Sequence, residues 1–249
     1  MVAVLSVGGS VVAPDAPDVG FLSAFDAVVR GWLGEDPSRK LVLTVGGGGP
    51  ARAYQKAYRA LAKNAAGDEA RCSISARRVR QSRAESAADD EADWVGIMAT
   101  RLNAQLVCAV FADLCCQGVV YDPTEVREFA GRVLVAAGWK PGFSTDNDAV
   151  LLAERFAAKT VINVSNIEKV YTADPRADPD AQPLDSICWA DFRKLVGDEW
   201  EPGKNVPFDP VASRRAEAAS IAVLCVGAKN VGNIRDALDG KPFVGTRIF

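Results

Sequence analysis

Twice in its first fifty residues the chain runs an apolar stretch straight into consecutive glycines. Val2–Val7 ends in Gly8-Gly9-Ser10, and Leu41–Val45 ends in Gly46 to Gly49. A short apolar run without polar alternation reads as a strand buried on both faces, and the glycines mark a tight exit from it. Strands buried on both faces belong to a parallel sheet covered by helices. Between the two runs, Phe21, Phe25, Val28, Val29 and Trp32 recur at helical spacing and Gly34 offers a stop, while Pro50 suits the first turn of a following helix. Two strand–glycine–helix units in succession point to a layered α/β fold with a largely parallel sheet.

The same reading predicts strands at Val133–Ala136, Val161–Val164, Ile221–Val226 and Val244–Ile248. It predicts helices over Trp94–Cys116, over Ala149–Phe156 with Ser144 or Thr145 as cap, and near Ala212–Ala219. Asp68–Asp90 differs in character, with five arginines (71, 77, 78, 80, 83) against five acids (68, 69, 85, 89, 90). That balance suits a solvated helical excursion or a flap, not a core element.

Composition then removes whole classes of chemistry. The 249 residues include no histidine, which excludes Ser-His-Asp and Cys-His catalysis and histidine-based metal sites. A formal charge of −3 argues against a dedicated nucleic-acid binder. The six cysteines form no Cys-x-x-Cys pair and mostly sit in apolar surroundings, so buried free thiols in a reducing cytoplasm are expected. The N-terminal apolar run is too short for a signal segment, and Leu106–Cys116 is broken by Asp113 and too short to span a membrane. A cytoplasmic chain without membrane partners is therefore expected.

Glycines after a strand let the backbone approach a phosphate, and a following helix presents free N–H groups to it. Strand ends in a parallel sheet collect on one edge, so several such turns converge. Neither a Gly-x-x-x-x-Gly-Lys-Ser/Thr loop nor a Gly-x-Gly-x-x-Gly fingerprint is present. What is present is Val7-Gly8-Gly9-Ser10, then Val45-Gly46-Gly47-Gly48 with Ala51-Arg52, then Gly96-Ile97-x-x-Thr100-Arg101-x-Asn103-Ala104. Pro141-Gly142-x-Ser144-Thr145-Asp146 and Val170-Tyr171-Thr172-Ala173-Asp174-Pro175 follow. In order and spacing this set resembles the amino acid kinase superfamily and, within it, the archaeal-type UMP kinases.

The resemblance implies a three-layer α/β/α sandwich around a mostly parallel mixed sheet. It implies a single domain over 1–249, with an acceptor lobe to about residue 160, a nucleotide lobe from about 161, and 68–90 as an insertion. The implied reaction moves a phosphoryl group from ATP to UMP, with Mg²⁺ carried by ATP and none held by the protein. Gly8, Gly9, Ser10, Gly47, Arg52, Ser165, Asn166, Tyr171 and Asp174 would face ATP. Gly46, Asp93, Trp139, Lys140, Pro141, Gly142, Phe143, Ser144 and Thr145 would face UMP. A homo-oligomer, by resemblance a hexamer, is also implied.

Several positions depart from the superfamily pattern. Ser6 stands where many members have a lysine, Gly49 follows the third glycine, Glu168-Lys169 replaces Asp-Gly, and Lys140 precedes Pro-Gly. The cation that steadies the transferred group is then one of Arg52, Lys140 and Lys204. Two other readings stay open: a kinase for another small acid or phosphate, and a non-catalytic relative that binds oxyanions or stores metal.

Overall fold

The computed structural model describes residues 2–67, 74–126, 128–175, 177–199 and 206–249, with side chains over the same spans except 63–88. The first half contains β1 (Val2–Val7), α1 (Gly9–Val12), α2 (Val19–Gly34), β2 (Lys40–Val45), α3 (Gly48–Gly67), α4 (Ile74–Val110) and β3 (Val133–Ala136). Then come α5 (Thr145–Arg155), β4 (Thr160–Ser165), β5 (Val170–Tyr171), β6 (Pro183–Leu184), β7 (Ser186–Ile187) and α6 (Trp189–Val196). The chain closes with α7 (Pro210–Ala218), β8 (Ala222–Gly227), α8 (Val231–Leu238) and β9 (Gly245–Ile248).

Seven strands form one sheet in the order β3-β2-β1-β4-β8-β9-β7, and β5 pairs β6 apart from it. The β3, β2, β1, β4 and β8 neighbours all run parallel, and β9 is antiparallel to β8. The period-two alternation of each strand feeds both faces. Leu5, Val7, Leu43, Val45, Ile162 and Val164 pack with α2, α4 and α8 through Phe25, Trp32, Val107 and Ile234. Val4, Val42, Val161 and Val223 pack with α5, α6 and α7 through Leu152, Phe192 and Ala212. The result is the expected three-layer sandwich.

β2 lies on one side of β1 and β4 on the other. The connections leaving β1 and β4 therefore diverge, and a crevice opens outside the carboxyl ends of these strands. Every glycine turn of the sequence analysis lies on this edge.

The structure departs from the sequence reading in several places. The expected helix over Trp94–Cys116 starts far earlier, at Ile74, and stops at Val110. Arg30 of α2 accounts for the stop: its Nη2 donates to the Val110 carbonyl at 3.0 Å, and its guanidinium holds Asp113 at 2.8 and 2.9 Å. Past that point the chain turns, and Cys115 forms an isolated bridge with Gly131. Of the five cysteines among the described residues, only Cys108 and Cys225 are buried, because Cys115 and Cys116 lie beyond the helix end. The helices α6 and α8 were not anticipated. Trp189, Phe192 and Val196 bury one face of α6, and Asn230 caps α8 by accepting from Gly232 N–H. No helix among the described residues is long and apolar enough to cross a membrane. The flap expected over Asp68–Asp90 falls outside the described residues, except that the backbone is helical from Ile74.

Candidate active site

The two glycine turns are pressed against each other. Gly8 N–H donates to the Val164 carbonyl of β4 at 2.8 Å, and Gly46 N–H donates to the Val7 carbonyl at 3.0 Å. A Cβ on Gly9 would lie 2.0 Å from Gly48 N, and one on Gly46 would lie 2.4 Å from Gly9 N. Only glycine permits this approach, so a run of backbone amides comes together at one place. Gly48 opens α3 at φ +66, a conformation that L side chains rarely adopt. Asn103 of α4 fixes the second turn from behind, donating from Nδ2 to the carbonyls of Gly46 and Gly47 at 2.9 and 3.1 Å.

Opposite these turns lies the loop after β3. Gly138 N–H donates to Thr100 Oγ1 at 2.8 Å, and Gly142 N–H to Asp93 Oδ2 at 3.3 Å. Ser144 ends the loop as the cap of α5, accepting from Asn147 N–H at 3.2 Å. Loop, glycine turn and α4 enclose a cleft of about 240 Å³ lined by Gly47, Ala51, Gln55, Asp93, Gly96, Ile97, Thr100, Gly138, Gly142, Phe143, Ser144 and Thr145. Six residues expected at the site therefore meet in one cavity: Gly47, Asp93, Gly142, Phe143, Ser144 and Thr145. Gln55, Gly96 and Thr100 also line it, and the site assignment from sequence missed them. Gly96, Thr100 and Asn103 recur at i, i+4 and i+7, one face of a helix, and that spacing is the signal that could have found them.

Three carboxyl groups lie beneath the cleft on the α5 side. Ser6 Oγ donates to Asp146 Oδ1 at 2.7 Å, so the hydroxyl in the position where many superfamily members have a lysine is committed to this carboxylate. Asp209 N–H donates to the other oxygen at 3.3 Å. Burial raises the Asp146 carboxyl to about 6, against the pull of the Ser6 hydroxyl. Asp148, fully buried, is raised to about 7, mainly by burial. Burial also raises Asp209, which caps α7 through Ala212 N–H at 2.7 Å. Asp93 is raised by burial too, and Gly142 N–H opposes the shift.

The candidate cations fare differently. Arg52 is exposed near the start of α3, one turn in, and donates to the Pro14 carbonyl at 3.3 Å. Lys140 is exposed with its Nζ 3.8 Å from the Trp139 ring centre and 5.0 Å from that of Phe143. Lys204 lies outside the described residues. Ser165 and Asn166 sit at the carboxyl end of β4, with Tyr171 on β5 and Asp174 just beyond it. These four lie across the β1/β4 divide from the cleft and do not line it. Ser10 stands in α1, directly after the first glycine turn.

Paired glycine turns at a sheet switch point, facing a tethered loop, define a phosphate-handling α/β protein. Residues 1–227 match the amino acid kinase family, and the chain belongs to it. It is similar to the uridylate kinase of Methanospirillum hungatei, 31% identical over 248 residues, covering 98% of this chain and 93% of the relative. The uridylate kinase of Thermococcus onnurineus is 30% identical over 241 residues, covering 96% of this chain and 95% of the relative. Among solved structures, the uridylate kinase from Archaeoglobus fulgidus superposes with a TM-score of 0.74 at 29% identity, covering 99% of this chain and 100% of that one.

Proposed function

We propose that this chain is a UMP kinase, transferring the γ-phosphoryl group of ATP to UMP to give ADP and UDP. The observation that carries the reading is the cleft, in which glycine-turn amides face the tethered loop 138–144. Near-full-length similarity to proteins named uridylate kinase supports it over another small acceptor or a non-catalytic role.

The chemistry suits a chain without histidine. A phosphate monoester is largely dianionic at neutral pH, so the attacking oxygen has no proton for a base to remove. What remains is positioning and charge neutralisation. On this reading Gly8, Gly9 and Ser10 run along the transferred group, and Gly46 and Gly47 lie between the substrates. Asp93 takes the UMP ribose, and Trp139–Thr145 takes its base and phosphate. Ser165, Asn166, Tyr171 and Asp174 take ATP, which arrives with Mg²⁺ as part of the substrate. Arg52 and Lys140 supply positive charge from this side, and Lys204 is the third candidate. The acceptor lobe is 1–160 and the nucleotide lobe 161–249 of one domain, acting in cytoplasmic pyrimidine nucleotide synthesis.

We also infer self-association. Trp94, Met98, Leu102 and Leu106 form a stripe at four-residue spacing on α4, exposed by 40, 58, 70 and 36%. An apolar stripe of that size supports a helix-to-helix contact between copies.

The direct test is ADP release from purified protein with ATP, Mg²⁺ and each of UMP, CMP and AMP. UMP should be preferred. Turnover with a different acceptor and none with UMP would overturn the assignment.

A further inference from the structure

Asp148 is an unusual residue for the place it occupies. It lies in the first turn of α5 with no exposed surface, and its Oδ1 has no hydrogen-bond partner among the described residues. The charges around it belong to other carboxylates, Asp146, Asp122 and Asp209. A buried carboxyl without a cation is costly, and an apolar side chain of the same size would avoid that cost. The side chain's hydrogen bond among the described residues leaves the helix altogether: Asp148 Oδ2 accepts from the backbone N–H of Trp139 at 3.1 Å.

Trp139 is held at its other backbone polar group as well, and its indole N–H is bonded to Asp122. Its carbonyl accepts from Arg101 Nη2 at 3.1 Å, and the Arg101 guanidinium is itself seated over the Tyr121 ring at 4.3 Å. The grip is therefore on the backbone of one residue, from α5 on one side and α4 on the other. That residue organises its neighbours. The Trp139 ring meets Phe143 edge-on with centres 4.7 Å apart and carries Lys140 Nζ on its face.

We propose that Asp148, with Arg101 as its counter-grip, is a positioning residue that sets the seat of loop 138–144 against the glycine turns. It acts through the Trp139 backbone and touches no substrate. The inference rests on the reading of this loop as the UMP seat. Misplacing a bound reactant by about 1 Å costs on the order of a hundredfold in rate, so a loosened Trp139 is felt at the acceptor. The ATP-side residues at the end of β4 share no hydrogen bond with this grip and are not expected to respond.

The test is steady-state kinetics of Asp148→Ala, Asp148→Asn and Arg101→Gln, varying UMP at saturating ATP and then the reverse, alongside thermal melting. Asp148→Ala should lower kcat/KM for UMP by about tenfold to a hundredfold with a raised UMP KM, while the ATP KM stays within about twofold. Asp148→Asn keeps an amide oxygen for Trp139 N–H and should recover most of the loss. If Asp148→Ala does not fold, Arg101→Gln, at a less buried site, should show the same UMP-selective rise. Equal movement of both KM values, failure of Asn to outperform Ala, or a wild-type UMP KM in Arg101→Gln would overturn the proposal. Phe143→Ala separates the two levels. A raised UMP KM there with a silent Asp148→Ala removes only the positioning role. Silence in both removes the acceptor-loop reading too.

Discussion

A Cβ on Gly9 would lie 2.0 Å from a backbone nitrogen, whereas one on Gly142 would meet nothing within 4 Å. Both glycines lie at the same edge of the sheet, one opening α1 and the other in the loop after β3, yet the two segments are shaped by opposite means. The glycine turns owe their form to atoms that are missing, because at Gly9, Gly46, Gly48 and Gly49 backbone fills the direction in which a side chain would grow. The loop 138–144 has open space beside Gly142, though that residue's φ of +79 still favours glycine. It is tied down by side chains reaching in from elsewhere: Thr100, Arg101 and Asp93 from α4, and Asp148 from α5. A surface made of backbone contacts is intolerant of any added atom. A tethered one is sensitive to lost side chains and should yield in steps.

The harshest trial of this contrast is Gly9→Ala. The new methyl would be 2.5 Å or less from three backbone atoms of Gly46, Gly47 and Gly48, so the turns must separate. The expected outcome is loss of turnover by more than about a thousandfold, or no folded protein, read by ADP release and thermal melting. A folded, active Gly9→Ala would break the contrast at once. Arg52→Ala comes next. Arg52 offers folding little beyond one hydrogen bond to Pro14, and its guanidinium is exposed. Turnover should fall by about 2–4 kcal/mol of transition-state stabilisation with melting nearly unchanged. Unaltered kinetics would return Arg52 to the surface.

Asn103→Ala sharpens the picture of the glycine side, since it removes the side-chain donor from the Gly46 and Gly47 carbonyls. A loss of about 1–3 kcal/mol is expected in urea unfolding. The carboxyl group at the foot of the other loop predicts a pH signature. Asp148 is raised to about 7 in the fold, so the stability it contributes is fully present below the ordinary carboxylate range and is lost as pH rises through about 7. Asp146, raised to about 6, adds a similar slope slightly lower. Asp148→Asn cannot ionise, so its melting temperature should gain on wild type as pH rises from 5 to 8. A constant difference across that range would contradict the raised carboxyl. The smallest effect belongs to Gly34→Ala, at a helix end where a Cβ meets nothing within 4 Å. There the substitution should stabilise by about 0.4–1 kcal/mol, the reverse of Gly9.

The two loops were also unequally legible before the structure was known. A turn made of missing atoms is written in the chain as glycines, and Gly8-Gly9 and Gly46 to Gly49 could be read directly, as could the strands that lead into them. Ser144 as a cap was readable for the same local reason. The tethers were not, because Thr100 lies 38 residues from Gly138 and Asp93 lies 49 from Gly142, and only the packing of α4 beside β3 unites them. Asp148 carried no signal at all: an acid in the first turn of a helix looks like an ordinary favourable charge, and only burial shows otherwise. The early end of α4 was hidden likewise, since Arg30 lies 80 residues from Val110.

The rims of the sheet have a consequence for how these molecules meet. One rim is β3, four residues long, with Val120 already bridged to Ala136 along its outer side. The other is β7, with two residues. Neither presents the long row of free amides and carbonyls on which a foreign strand could be laid down. Lateral growth by strand addition is thus closed at both ends, and the self-association proposed above would fall to the helical layers, where the bare side chains of α4 stand.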